Sequence, residues 1–186
     1  MKKLNLRSMI FLALCCDLGL AAKKIISPFA NVITDSLHIP GGIGTAFSVM
    51  FLVIAVTLVP CFGCGTVFGT VQSILAVAFG MVGSMGALSP VGYIVPGIAV
   101  DILFHVLRNS SLSIQEKIVL GNMLASVCAA MSANCITFHL WGVVLLLYLS
   151  VAACSGVVCG LLGGMVVKRV MPVLHSGAAS GNGGTV

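Results

Sequence analysis

The sequence predicts an all-α membrane protein, a bundle of six transmembrane helices with both termini cytoplasmic. Three observations carry this. Of the 186 residues, 59% are hydrophobic and only 7% are charged, with a mean hydropathy of +1.20. A soluble domain cannot hide that much apolar surface, so the outside of this chain must face lipid. The apolar residues form long unbroken runs, whereas a membrane barrel alternates apolar and polar residues. The few cations, finally, are spread unevenly about those runs.

The runs cover residues 4–22, 43–61, 62–83, 88–107, 117–138 and 141–167. A spanning helix takes about 20 residues, so six spans nearly exhaust the length and leave no room for a catalytic domain outside the membrane. The first connection, 23–42, is mixed and holds Pro28, Asn31, Asp35, His38 and Pro40. Residues 108–116 form a polar break. Within it Ser113-Ile-Gln-Glu116 reads as a capping box opening the fifth helix. Residues 1–174 form one membrane domain, and the Ser/Gly/Ala-rich stretch 175–186 reads as a flexible tail.

Six spans put both termini on one side. That side collects Lys2, Lys3, Arg7, Arg108, Lys117, Lys168 and Arg169, seven cations against Lys23 and Lys24 opposite. This is the positive-inside pattern, and it makes the chain a multi-pass membrane protein with both termini in the cytoplasm. Asn109-Ser110-Ser111 matches a glycosylation acceptor but falls on the cytoplasmic side. A cleaved signal over residues 1–22 is disfavoured, because Asp17 sits near the end of its apolar core.

Little in the sequence suggests catalysis. No G-x-x-x-x-G-K-[ST] phosphate loop and no H-E-x-x-H motif occur, and Cys61-Phe-Gly-Cys64 is a lone CxxC at a helix edge. The eight cysteines lie in or beside apolar runs, where cysteine acts as a small soft apolar residue rather than a disulfide framework or metal site. No catalytic residue, metal or cofactor is assigned, and no basic stripe suggests nucleic acid. Asp101 and His105, four apart on the fourth helix, read as a pair that fixes helix orientation. A proton relay is the sharper reading of the same pair.

The outer side gathers hydrogen-bonding groups from three connections. They are Asn31, Asp35 and His38 after the first helix, Ser84, Ser89 and Tyr93 about the fourth, and Asn134, Thr137, His139 and Trp141 at the turn between the fifth and sixth. As a set they mark a substrate-binding pocket; taken singly, Tyr93 and Trp141 also suit interfacial anchoring. Glycines recur every fourth residue at Gly156, Gly160 and Gly164, and at Gly65 and Gly69, the spacing that lets another helix approach closely.

The ordered elements Ile39-Pro-Gly-Gly42, the glycine-rich stretch 63–69, Gln72, Gly80, Gly83-Ser-Met-Gly86 and Tyr93-Ile-Val-Pro-Gly97 through Asp101 form a pattern. It resembles the substrate-capture S components of energy-coupling factor transporters, ATP-driven vitamin importers related to the ABC transporters. Members tied to uptake of the thiamine pyrimidine are most similar, and the resemblance covers residues 5–167. It implies a six-helix bundle that binds a small water-soluble vitamin or precursor on the extracellular side. The first connection would act as a lid. The partners would be a membrane coupling subunit and two cytoplasmic ATPases. The family's Ala-x-x-x-Ala docking motif on the first helix is broken here, Ala13 being followed by Asp17. Cys15 and Gly19 are the nearest small-residue substitute. The alternatives are a self-sufficient proton-coupled secondary transporter and a structural subunit without ligand.

Overall fold

The computed structural model describes the backbone of residues 6–37, 43–59, 61–81, 86, 88–139 and 141–180, and their side chains except 6–8, 30–37, 43 and 173–180. These residues form six α-helices: α1 (Leu6–Leu37), α2 (Ile43–Leu58), α3 (Cys64–Ala78), α4 (Ser89–Val106), α5 (Ile114–Ala133) and α6 (Val143–Ser180). A tight turn, Leu107–Asn109, follows α4, and a wider π-helical turn, Asn134–Phe138, extends α5. There is no strand among the described residues.

Among the described residues three segments are long and apolar enough to cross a membrane: Ser89–Asn109, Ile114–Phe138 and Val143–Pro172. Their outward faces carry bare apolar side chains, Ile98 and Ile102 on α4 and Leu146, Leu147 and Met165 on α6. Surface of that kind belongs in lipid. The chain is a membrane protein. The shorter α2 and α3, of 16 and 15 residues, are also apolar. At 1.5 Å per residue they reach about 24 and 22 Å, against about 30 Å of hydrocarbon.

Each helix packs antiparallel to the one before it. Gly19 of α1 faces Ser48 and Phe51 of α2, Gln72 of α3 reaches Ser48 of α2, and Gly65 of α3 meets Gly97 and Asp101 of α4. Gly121 of α5 lies under Phe104 of α4, and Gly160 of α6 meets Val119 of α5. The start of α1 and the later part of α6 therefore lie at one end of the bundle, the terminal end. The opposite end is the far end. α2 touches all five other helices and is the axis, with Ala46, Leu52, Val53, Ile54 and Ala55 almost wholly enclosed.

The glycine stripes pack inside the bundle, as helix spacing suggests. A Cβ on Gly156 would lie 2.9 Å from Met123 Cα, one on Gly160 2.8 Å from Val119 Cα, and one on Gly164 3.1 Å from Gln115 Cγ. Gly65 and Gly69 do the same against α4, where a Cβ on Gly69 would lie 2.5 Å from the Tyr93 carbonyl. Small residues let backbones meet where lipid gives no hydrophobic push between helices. Asn122 Nδ2 donates to the Gly156 carbonyl at 2.7 Å and adds a directed bond to the α5–α6 seam.

Two boundaries differ from the sequence reading. The stretch expected to be a mixed connection from residue 23 continues α1 as helix to Leu37, with Pro28 inside it. Ser27 seats against Gly44 of α2, whose added Cβ would lie 3.1 Å from Ser27 Oγ, so the helix keeps a packing partner past the apolar run. The expected flexible tail is helical as far as Ser180, because lengthening an existing helix needs no new nucleus. The capping box stands as read: the Glu116 N–H donates to Ser113 Oγ at 3.3 Å, and the Ser113 N–H donates to Glu116 Oε2 at 2.8 Å.

Candidate functional site

At the terminal end the bundle is tied shut. Helix α3 begins there, and the first N–H groups of any helix lack partners within it. Asp101 of α4 supplies them. Its carboxylate accepts from the Gly65 N–H at 2.9 Å, the Thr66 N–H at 2.8 Å and the Thr66 hydroxyl at 2.7 Å. The negative charge also lies where the α3 dipole is positive. Asp101 thus fixes helix orientation through the start of α3 and not through His105. The His105 ring instead meets Phe62 edge-on, centroids 5.3 Å apart.

The far end is built differently. Leu20 of α1, Ala76 of α3 and Tyr93 of α4 form a small apolar cluster there. Lys23 lies about one turn beyond Leu20, on the same face of α1. Its ammonium donates to Tyr93 Oη at 2.7 Å and sits 4.5 Å from the ring centroid. Ser89 precedes Tyr93 by four residues on α4 and so shares its face. Ser89 is 2% exposed and its hydroxyl has no hydrogen-bond partner. The Thr137 hydroxyl, in the turn after α5, is likewise enclosed and unpartnered.

The residues expected to form the pocket divide in this frame. Tyr93 and Asn134 are buried. Asn134 stands where α5 widens, its carbonyl accepting from the His139 N–H at 2.8 Å. His139 is exposed and ends that turn in the left-handed conformation, φ 46°. Trp141 is 84% exposed. Phe138 packs edge-on to Tyr148 and anchors the turn to α6. Asn31 and Asp35 lie on α1, but their side chains, like His38 and Ser84 altogether, fall outside the described residues. Lys23 had counted only as a topology marker. What sets it apart from its neighbour is helical phase, since Lys24 is exposed.

No family model, no curated protein and no solved structure matches the chain. No disulfide joins the cysteines among the described residues. Among the described residues no cluster of three His, Cys, Asp or Glu side chains could hold a metal. The far end offers hydrogen-bond donors in an enclosed setting.

The faces of α1 also bear on partners. Cys15 is in the main core, and Gly19 is enclosed by Gln72, Phe51 and Ser48. This small-residue pair packs inward and is not available to a second protein. The outward face instead carries Ala13, Leu14, Asp17, Leu18 and Ala21. Asp17 is there an exposed carboxylate between apolar neighbours.

Proposed function

We propose that the chain is the membrane-embedded substrate-capture subunit, or S component, of an ATP-driven importer. It crosses a bacterial cytoplasmic membrane six times with both termini inside, and it binds a small water-soluble vitamin or precursor on the extracellular side. The observation that carries this reading is the asymmetry of the two ends. The terminal end is locked by Asp101 on the start of α3, whereas the far end holds enclosed donors with nothing to donate to. The cation count makes the terminal end cytoplasmic, so the unfilled groups face outward. The up-and-down order of the helices supports six crossings, with the short α2 and α3 shielded in part by the longer helices.

The chain carries no phosphate loop, so energy would come from a membrane coupling subunit and two cytoplasmic ATPases. Asp17 marks the face of α1 that such a subunit would cover, since a carboxylate facing lipid is costly and one against a protein can be paired. The test is reconstitution of the chain alone in liposomes. It should bind its substrate without concentrating it, and accumulation should begin only when coupling subunit and ATPases are added. Accumulation driven by a proton gradient in liposomes holding only this chain would refute the proposal.

A further inference from the structure

Within that reading, the geometry points to a ligand bearing a single carboxylate, held at the far end by Lys23, Tyr93 and Ser89. Three independent features converge. The Lys23 ammonium has three N–H bonds. One goes to Tyr93 Oη, and among the described residues no carboxylate lies within ion-pair distance. Tyr93 accepts that bond, which leaves its own O–H free to donate. Tyr93 is 8% exposed as a residue, so packing holds its side chain in place.

Ser89 is the second feature. The residue is 2% exposed and its hydroxyl has no partner among the described residues, a state that costs stability unless a bound molecule or water satisfies it. Side chains on a helix lean toward its N-terminus, so the Tyr93 side chain leans over the turn that carries Ser89. The third feature is the start of α4 itself. Leu88 at its cap gives no side-chain bond and Pro90 in the first turn has no N–H, so the Ser89 and Val91 N–H groups and the positive end of the helix dipole lie at this end of α4.

Every group at this site donates, and one is a cation. A neutral pyrimidine offers weak acceptors and no charge, and a thiazolium or other cation would be repelled by Lys23. A carboxylate matches both the donors and the charge. One ammonium and two hydroxyls suit one anionic group and not a polyphosphate. A lipid phosphate shares this chemistry; the occupant proposed is a water-soluble acid, and comparing detergent with lipid separates the two.

The experiment uses the full chain in a maltoside detergent, which carries no anion, and again in phosphatidylcholine nanodiscs. The probes are pairs of equal shape, benzoate with benzamide and nicotinate with nicotinamide, plus 4-amino-5-hydroxymethyl-2-methylpyrimidine. Binding is read by ligand-observed NMR, which detects millimolar affinities. Native mass spectrometry identifies any molecule that purifies with the chain. Carboxylates should bind more tightly than their amides in both settings. Lys23→Met should weaken them by about tenfold to a hundredfold, and Tyr93→Phe or Ser89→Ala by about tenfold. Lys24→Met removes the same charge next door and should change nothing.

Carboxylate binding in nanodiscs alone, or loss with Lys24→Met as well, would mean a membrane-surface effect and overturn the assignment. Equal binding of amides or of the pyrimidine, indifferent to Lys23→Met, would overturn it while leaving substrate capture standing. So would a neutral or cationic molecule found on the purified chain. If no probe binds and the chain carries no small molecule, both the carboxylate assignment and the capture reading fall.

Discussion

The Asp101 carboxylate on α4 holds Thr66 on α3 twice, through its backbone N–H at 2.8 Å and its hydroxyl at 2.7 Å. A third bond comes from the Gly65 N–H. Glycine is required at that crossing, because an added Cβ on Gly65 would lie 2.7 Å from the Gly97 carbonyl and 3.0 Å from Asp101 Oδ1. Close approach of the backbones and capping by the carboxylate are one device.

Removing the cap should therefore be a stability defect. Asp101→Ala leaves two N–H groups and a hydroxyl without their acceptor and should cost about 2–3 kcal/mol. Thr66→Val removes only the hydroxyl bond and should cost about 1 kcal/mol. Unfolding in mixed detergent micelles measures both. If Asp101→Asn left stability unchanged but altered a proton-dependent flux, the carboxylate would be a relay and not a cap.

The glycines of α6 should show a gradient set by what each one faces. Gly156 and Gly160 meet backbone atoms of α5, which cannot step aside, so alanine there should cost about 1–3 kcal/mol through overpacking. Gly164 meets the Gln115 side chain, which can move, so Gly164→Ala should stay within about 0.5 kcal/mol. Gly160→Leu should fail in the isolated chain itself. Thermal unfolding of the three alanine variants tests the order, and equal effects at all three positions would contradict it.

At the turn after α5, two residues that look equivalent in sequence should behave differently. Asn134 is buried, and Asn134→Ala should weaken substrate binding by about tenfold. His139 is exposed with φ 46°, a conformation glycine adopts without strain. His139→Gly should raise stability by about 0.5 kcal/mol and leave affinity alone. Loss of binding with His139→Gly would place that imidazole on the ligand after all. Asn122 makes a poor control for these variants, since its Nδ2 donates to the Gly156 carbonyl while its Oδ1 is buried without a partner among the described residues.

Topology is open to a direct reading. A reporter fused after residue 180 should be active only in a form that works in the cytoplasm, and so should one placed between α4 and α5. Activity of either on the outer face would remove the six-crossing arrangement.

Helix number, the capping box at Ser113 and the close approach of glycine-bearing helices could be read from the sequence, because each depends on local chemistry or on spacing along one helix. The rotation of α1 could not. Its buried face carries Leu12, Cys15, Cys16 and Leu20, and its exposed face carries Met9, Ile10, Leu14 and Leu18. Both are apolar, so the contrast that reveals a buried face in a soluble protein is missing. Hence Cys15 and Gly19 could be taken for an outward docking surface, and Lys23 could not be told from Lys24. The end of α1 was hidden for a related reason. Charges and Pro28 mark the edge of an apolar run, but a helix held by Ser27 on Gly44 continues past that edge.

The axial position of α2 divides the bundle unevenly. Directed bonds tie α1 and α2 to α3 and α4 at successive heights, from the Cys16 thiol to the Phe68 carbonyl, from Gln72 Nε2 to Ser48 Oγ and from Lys23 to Tyr93. Along α2, the α5–α6 hairpin meets this block through Met50, Val53, Ile54 and Ile118, with Phe104 of α4 over Gly121. Contacts of that kind are held by shape and not by direction, so α2 meets α3 through a directed bond and the last hairpin through close packing.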